Sequence, residues 1–155
     1  MKILIVYGTT EGQTRKISHF MEATLKDVGY EVTVADASET PPSPSAYDAV
    51  IIGASIHIHK YQSAVVHYIN RHVEALNKMP GAFFSVCLAI ASELEEEHKE
   101  ARKITTEFLE HAGWRPDDNA DCRSVKIYTI RFLQAPYNEN DRKKRRSYYG
   151  HVQGL

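Results

Sequence analysis

Short hydrophobic runs alternate with amphipathic stretches along this chain, and the alternation restricts the folds that it can adopt. The runs that predict buried β-strands cover residues 2–7, 30–35, 48–53 and 82–88, with a possible fifth strand at 121–128. Apolar residues at helical spacing predict helices over 12–28, 64–76 and 95–112. This order of elements predicts a doubly wound α/β fold, in which helices cover both faces of a parallel sheet.

The composition is that of one soluble globular domain, with 155 residues, 43% of them hydrophobic and 25% charged. No apolar run approaches the roughly 20 residues of a membrane-spanning helix. The chain opens into a strand rather than a secretory signal. Cys87 and Cys122 match no metal or redox spacing, so we expect reduced thiols in a cytoplasmic protein.

The turn between the first predicted strand and helix is rich in hydroxyl groups. Thr9, Thr10 and Thr14 supply donors, and Gly12 lets the backbone approach a ligand closely. The helix that follows presents unpaired N–H groups at its start. The turn is neither a Gly-x-Gly-x-x-Gly dinucleotide fingerprint nor a Walker A loop. We therefore predict a site for a single phosphate group, with an ordinary strand-to-helix turn as the alternative.

The segment Thr9-Thr10-Glu11-Gly12-Gln13-Thr14 resembles the phosphate loop of flavodoxins, although Glu11 stands where those proteins often carry Thr. The resemblance covers about residues 1–130 and is most specific to the flavodoxin-like, menaquinone-dependent protoporphyrinogen oxidase family. The segments that carry it are 47–56, 61–63, 76–80, 83–86 and 113–117. It implies a flavodoxin-like sheet of five strands in the order 2-1-3-4-5, and FMN as the cofactor.

The resemblance also implies which residues surround the cofactor. The phosphate would lie on the loop formed by Thr9, Thr10, Glu11, Gly12, Gln13 and Thr14. One face of the isoalloxazine ring would lie against Ala54, Ser55, Ile56, His57, Ile58 and Tyr61. The other side would be closed by Ser85, Val86, Cys87, Leu88 and Ala89. No residue is assigned a catalytic role.

Each of the two ring segments has a plain structural alternative. Tyr61 would then cap the following helix with its ring half-buried, and residues 85–92 would form a strand that runs into an ordinary helix start. His57 and His59 point the same way in an extended segment, as zinc ligands do. A closed zinc site needs further ligands, however, so we expect no metal and an exposed histidine at His57, with quinone contact as its alternative.

The family resemblance implies an FMN-dependent oxidoreductase of haem biosynthesis that oxidises a porphyrinogen and passes electrons to a quinone. One alternative is a flavodoxin-type electron carrier, but such carriers are usually strongly acidic and this chain has a net charge of −1. A second alternative is a flavodoxin-like interaction module that lacks FMN.

The end of the chain departs from the family pattern. Residues 131–155 carry six basic and two acidic groups, with Arg142-Lys-Lys-Arg-Arg146 as their core, and no closing helix is recognisable there. We therefore predict an FMN-binding domain over 1–132 and an atypical basic tail over 133–155. The tail is either a solvated end or a contact for anionic lipid at the inner face of the cell membrane. Nucleic acid is not expected because the rest of the chain is acidic. A homo-oligomer is a further possibility if a partner completes the domain.

Overall fold

Five parallel strands form one sheet in the order β2-β1-β3-β4-β5 in the computed structural model, which describes residues 1–87 and 94–121. The strands are β1 (Lys2–Gly8), β2 (Glu31–Asp36), β3 (Ala49–Ser55), β4 (Gly81–Val86) and β5 (Asp118–Asp121). The helices are α1 (Gln13–Asp27), α2 (Ser63–Leu76) and α3 (Glu95–Ala112), with a short 3-10 helix at Pro44–Ala46. The predicted five-stranded, doubly wound parallel sheet is confirmed.

The central strands are apolar on both faces because helices cover both. On one face Leu4, Val6, Val50 and Ile52 form a core together with buried residues of α2 and α3. On the other face Ile3, Ile5 and Ile51 pack with buried residues of α1. Continuous apolar runs such as that of β1 are therefore what a central parallel strand requires.

The buried stripe of α1 excludes Phe20, although the helical spacing of the sequence predicts Phe20 on one face with Ile17, Met21, Thr24 and Leu25. The buried positions are Thr14, Ser18, Met21 and Leu25, which recur at the spacing of one helix face. Phe20 precedes Met21 by about 100° of helical rotation. It therefore lies at the margin of this stripe and is 50% exposed.

The fifth strand begins earlier than the sequence predicts. It starts at Asp118 and pairs in parallel with β4, from Ala82 opposite Asp118 to Ser85 opposite Asp121. The Asp117 carboxylate accepts a hydrogen bond from the Gly81 N–H at 2.9 Å, and the Asp117 N–H donates to the Gly81 carbonyl at 2.7 Å. Backbone pairing thus makes a strand of a polar segment, Asp118-Asn-Ala-Asp121, that has no apolar run to predict it. The rest of the predicted strand, residues 122–128, lies outside the described residues, as does the predicted tail, 133–155.

No helix in the described part of the chain is long and apolar enough to cross a membrane.

Candidate functional site

The strands β1, β3 and β4 end side by side, so the loops that follow them meet at one edge of the sheet. In register, Gly8 lies opposite Ala54, and Ser55 lies opposite Val86. Successive connections leave β1 and β3 toward opposite faces of the sheet, which makes this edge the topological switch point where parallel α/β sheets bind ligands. The first two predicted site segments and the described start of the third, residues 85–87, therefore begin at the same edge of the sheet.

A hydrogen bond between the Gly12 backbone and the Thr9 side chain stabilises the loop between β1 and α1. The Gly12 N–H donates to Thr9 Oγ1 at 2.8 Å, and Gly12 precedes α1 in a left-handed conformation with φ 85°. A Cβ atom at Gly12 would meet none of the described atoms within 4 Å. The first turn of α1 has no acidic residue, and no described side chain caps its N–H groups. The N–H groups at the start of α1 thus have no capping side chain, and no carboxylate in the first turn neutralises the positive end of the helix dipole.

Thr14, in the first turn of α1, carries a buried hydroxyl group. Its side chain is fully buried, and within the described part of the chain its Oγ1 has no hydrogen-bond partner. A buried hydroxyl without a partner costs free energy, so such groups normally have one. A phosphate oxygen at the start of α1 would supply the missing acceptor.

Gln62, the residue immediately before α2, joins two of the loops. Its Nε2 donates to Thr10 Oγ1 at 3.0 Å and to Ser55 Oγ, and its Oε1 accepts from the Ser55 N–H at 3.2 Å. Sequence reasoning did not single out Gln62. A lone glutamine at the end of a loop has no periodicity or motif that predicts such a contact.

The residues His57–Lys60 form a tight two-residue turn at the tip of the second loop. The His57 N–H donates to the Lys60 carbonyl at 2.9 Å, and the Lys60 N–H donates to the His57 carbonyl at 3.1 Å. Both central residues have positive φ, 49° at Ile58 and 60° at His59, although neither is glycine. A β-branched residue in this region is strained, and strain of this kind is concentrated at functional sites.

The histidines of the turn face outward. His59 Nδ1 lies 3.4 Å from Glu100 Oε1 of α3, and both side chains are largely exposed. Among the described residues there is no group of three or more His, Cys, Asp or Glu side chains that would hold a metal ion.

Tyr61 lies beneath the loop rather than on its ligand side. Its ring is 8% exposed and packs against Phe83 and Phe108 at centroid distances of 5.4 Å and 4.6 Å. Its hydroxyl donates to Ser85 Oγ at 2.8 Å and lies 2.7 Å from Thr105 Oγ1. Burial raises the pKa of Tyr61 to about 12, so the phenol stays neutral. The structure therefore gives Tyr61 a buried, hydrogen-bonded position, and its predicted contact with the isoalloxazine ring stays a prediction.

The remaining predicted residues differ in burial and in the contacts that they make. Ala54 is fully buried in the core, so only its backbone faces the site. The Ile56 N–H donates to the Val86 carbonyl at 2.8 Å and ties the second loop to the end of β4. Ser85 and Val86 are buried, and Cys87 is half-buried. Glu11 and Gln13 are exposed, which keeps the Glu11 carboxylate in solvent. Leu88 and Ala89 lie outside the described residues.

Residues 4–123 match a family model described as a flavodoxin domain. The chain belongs to this family. Among relatives of this flavodoxin domain is the protoporphyrinogen IX dehydrogenase [quinone] of Escherichia coli K12, which is 38% identical over 118 residues, 76% of this chain and 65% of the relative. The enzyme of the same name from Leishmania major is 32% identical over 117 residues, 74% of this chain and 50% of the relative. The chain thus spans from half to just under two thirds of the length of these relatives.

Solved flavodoxins share the fold of this domain. Oxidised flavodoxin 1 from Bacillus cereus superposes with a TM-score of 0.64 at 16% identity, covering 88% of this chain and 100% of that one. A mutant flavodoxin of Fusobacterium nucleatum bound to flavin mononucleotide superposes with a TM-score of 0.53 at 11% identity, covering 85% and 90%. At these identities the likeness establishes the architecture.

The residues of this flavodoxin domain fit the phosphate end of FMN. Thr9, Thr10 and Ser55 already accept hydrogen bonds from Gly12 or Gln62, so the hydrogen of each hydroxyl is left to donate elsewhere. Thr14 adds a buried hydroxyl with no described partner. The threonine hydroxyls of this loop and the uncapped start of α1 are hydrogen-bond donors of the kind that bind a phosphate dianion.

Proposed function

We propose that this flavodoxin domain binds FMN and acts in the oxidation of a porphyrinogen with a quinone as the electron acceptor. The observation that carries the FMN proposal is the buried, unpartnered Thr14 hydroxyl at the uncapped start of α1. The porphyrinogen and the quinone are proposed from the activity for which the relatives at 38% and 32% identity are named.

When bound, FMN supplies the redox chemistry that accepts hydride equivalents from the porphyrinogen and passes electrons to the quinone. The chain itself binds and orients. Thr9, Thr10, Gly12 and Thr14 hold the phosphate, and the backbone of residues 54–58 lines one side of the ring. The Ile56–Val86 hydrogen bond and the buried Tyr61 keep that loop in place. No catalytic acid or base is assigned.

FMN binding is tested by titrating the purified chain with FMN and with riboflavin and following flavin fluorescence. We expect FMN to bind more tightly, because riboflavin lacks the phosphate that the Thr9–Thr14 loop would hold. Equal affinity for the two flavins would contradict phosphate recognition. Absence of any flavin binding would favour the interaction-module alternative.

The activity is tested by anaerobic oxidation of protoporphyrinogen IX by the FMN-loaded chain with a menaquinone analogue. We expect formation of protoporphyrin that requires both FMN and the quinone. FMN binding without porphyrinogen oxidation by any quinone would contradict the enzymatic proposal and favour an electron carrier.

A further inference from the structure

We infer that Gln62 is a positioning residue that couples the phosphate loop to the loop after β3, so that phosphate occupancy strengthens binding of the flavin ring. The inference rests on the proposed FMN binding and extends it to Gln62, which ends the loop after β3 and is not among the predicted cofactor residues.

The contacts of Gln62 leave its side-chain amide with a defined orientation. The Ser55 backbone N–H is a donor, so the atom that faces it at 3.2 Å is Oε1. Nε2 then faces Thr10 Oγ1 and Ser55 Oγ and donates one hydrogen to each. One side chain thus fixes a residue of the phosphate loop and a residue at the carboxyl end of β3.

The orientation of the Gln62 amide leaves both hydroxyl groups able to donate a hydrogen bond to a ligand. Since Thr10 and Ser55 accept from Gln62, their own hydrogens are directed away from it. A carboxylate at position 62 would reverse this polarity, because it accepts only and would take the hydrogens of both hydroxyls. It would also add a negative charge near a phosphate dianion.

The position of Gln62 depends on a close approach between α2 and β1. Its carbonyl accepts hydrogen bonds from the Val65 and Val66 N–H groups at 3.0 Å and 3.2 Å, which holds it at the start of α2. A Cβ atom at Gly8 would lie 2.4 Å from Val65 Cγ2 and 3.1 Å from Gln62 Oε1. Only glycine at position 8 leaves room for the amide to cross the end of β1 and reach Thr10.

Coupling through Gln62 has a thermodynamic signature. If phosphate binding orders Thr10, and Gln62 transmits this order to Ser55, then inorganic phosphate and riboflavin bind cooperatively as the two halves of FMN. By linkage, each would raise the affinity for the other by the same factor.

The experiment measures riboflavin affinity with and without saturating inorganic phosphate, and FMN affinity, for the wild-type chain, Gln62→Glu and Gln62→Ala. Asn70→Ala is the matched control, because Asn70 is an exposed amide on α2 that lies beyond both loops. Thermal melts establish that each variant is folded. In the wild-type chain and in Asn70→Ala, phosphate should raise riboflavin affinity by about fivefold or more.

In both Gln62 variants we expect this enhancement to fall to about onefold and FMN affinity to fall by about tenfold or more, whereas riboflavin affinity without phosphate changes little. A purely structural role would instead lower both affinities and keep the enhancement. If the wild-type chain binds FMN and the Gln62 variants retain the enhancement, the inference is overturned while the proposed cofactor stands. If the wild-type chain does not bind FMN, the proposed function fails and the inference fails with it.

Discussion

At the scale of single residues, three hydroxyl groups of the proposed site have hydrogen-bond partners within the described chain and one has none. Thr9, Thr10 and Ser55 have partners within the described residues, whereas the buried Thr14 hydroxyl has none there. The hydroxyls with partners in the chain stabilise the ligand-free fold, whereas the Thr14 hydroxyl is available to a ligand. Conservative substitutions can therefore measure the two roles separately.

Thr14→Val removes the unpartnered hydroxyl and keeps the shape of the side chain. We expect the ligand-free protein to unfold at an unchanged or slightly higher temperature, with a gain of up to about 1 kcal/mol, because no internal hydrogen bond is lost. FMN affinity should fall by about tenfold, while riboflavin affinity is retained. Thermal melts and flavin titrations measure both, and a clear loss of stability without FMN would contradict the assignment.

Tyr61→Phe removes a buried hydroxyl that does have partners. Ser85 loses the donor to its hydroxyl oxygen, whereas Thr105 keeps its bond to the Ala101 carbonyl at 2.9 Å. We expect the free energy of unfolding to fall by about 1–2 kcal/mol. Denaturant unfolding measures this, with the half-buried Tyr47→Phe as the control. An unchanged value for Tyr61→Phe would show that its two contacts contribute nothing net.

At the scale of elements, the helix α1 contains a charge cluster whose contribution depends on pH. Hydrogen bonds from Lys26 and His19 hold the pKa of Glu22 below its usual 4.5. The folded state therefore favours the carboxylate, and the stabilisation is present above pH 4.5 and is lost as pH falls through the lower, folded-state pKa. We expect Glu22→Gln to cost about 0.5 kcal/mol at pH 7 and progressively less in acid. Urea unfolding of both proteins at several pH values measures this cost. A cost that does not change with pH would contradict the charge-based account.

In the His57–Lys60 turn, the residue types do not suit the observed backbone conformation. Both central residues have positive φ, a pattern for which Asn-Gly is favoured. We expect Ile58→Asn to stabilise the fold by about 1 kcal/mol, because Asn tolerates this region better than a β-branched residue and Ile58 is 78% exposed. If the turn contributes to the flavin site, FMN affinity or turnover falls at the same time. Val28→Asn, at another exposed position, is the control for the loss of apolar surface alone. If only Ile58→Asn destabilised the fold, the packing of the Ile58 side chain would outweigh the backbone strain at that position.

At the scale of the whole molecule, the acidic body and the basic tail have different expected partners. The five cations of Arg142–Arg146 would contribute about 1 kcal/mol each near an anionic lipid surface at low salt. We expect the chain to cosediment with anionic vesicles, to be released as salt rises, and to lose binding when these five residues are replaced by Gln. Neutral vesicles are the control. Binding that is insensitive to salt would contradict an electrostatic contact. Self-association stays a prediction, to be measured by sedimentation.

Local structure, and the order of strands and helices along the chain, can be predicted from the sequence. Hydrophobic runs predicted the four longest strands, and the helical periodicity predicted Glu95–Ala112 at both ends. The Thr9–Thr14 turn could be predicted as a phosphate loop because glycine, hydroxyls and a helix start are adjacent in the chain. Properties of this kind depend on neighbours a few residues apart, which is why they are visible in a single sequence.

Features that depend on residues far apart in the chain become visible in the folded domain. Gln62 reaches Thr10 across a separation of 52 residues, and Tyr61 reaches Thr105 across 44. The polar β5 is a strand because β4 pairs with it, and Phe20 is exposed because the sheet meets α1 along a neighbouring stripe. Such contacts follow from strand register and from where helices settle on the sheet, and these are set by the packing of the whole domain rather than by any local pattern of residues.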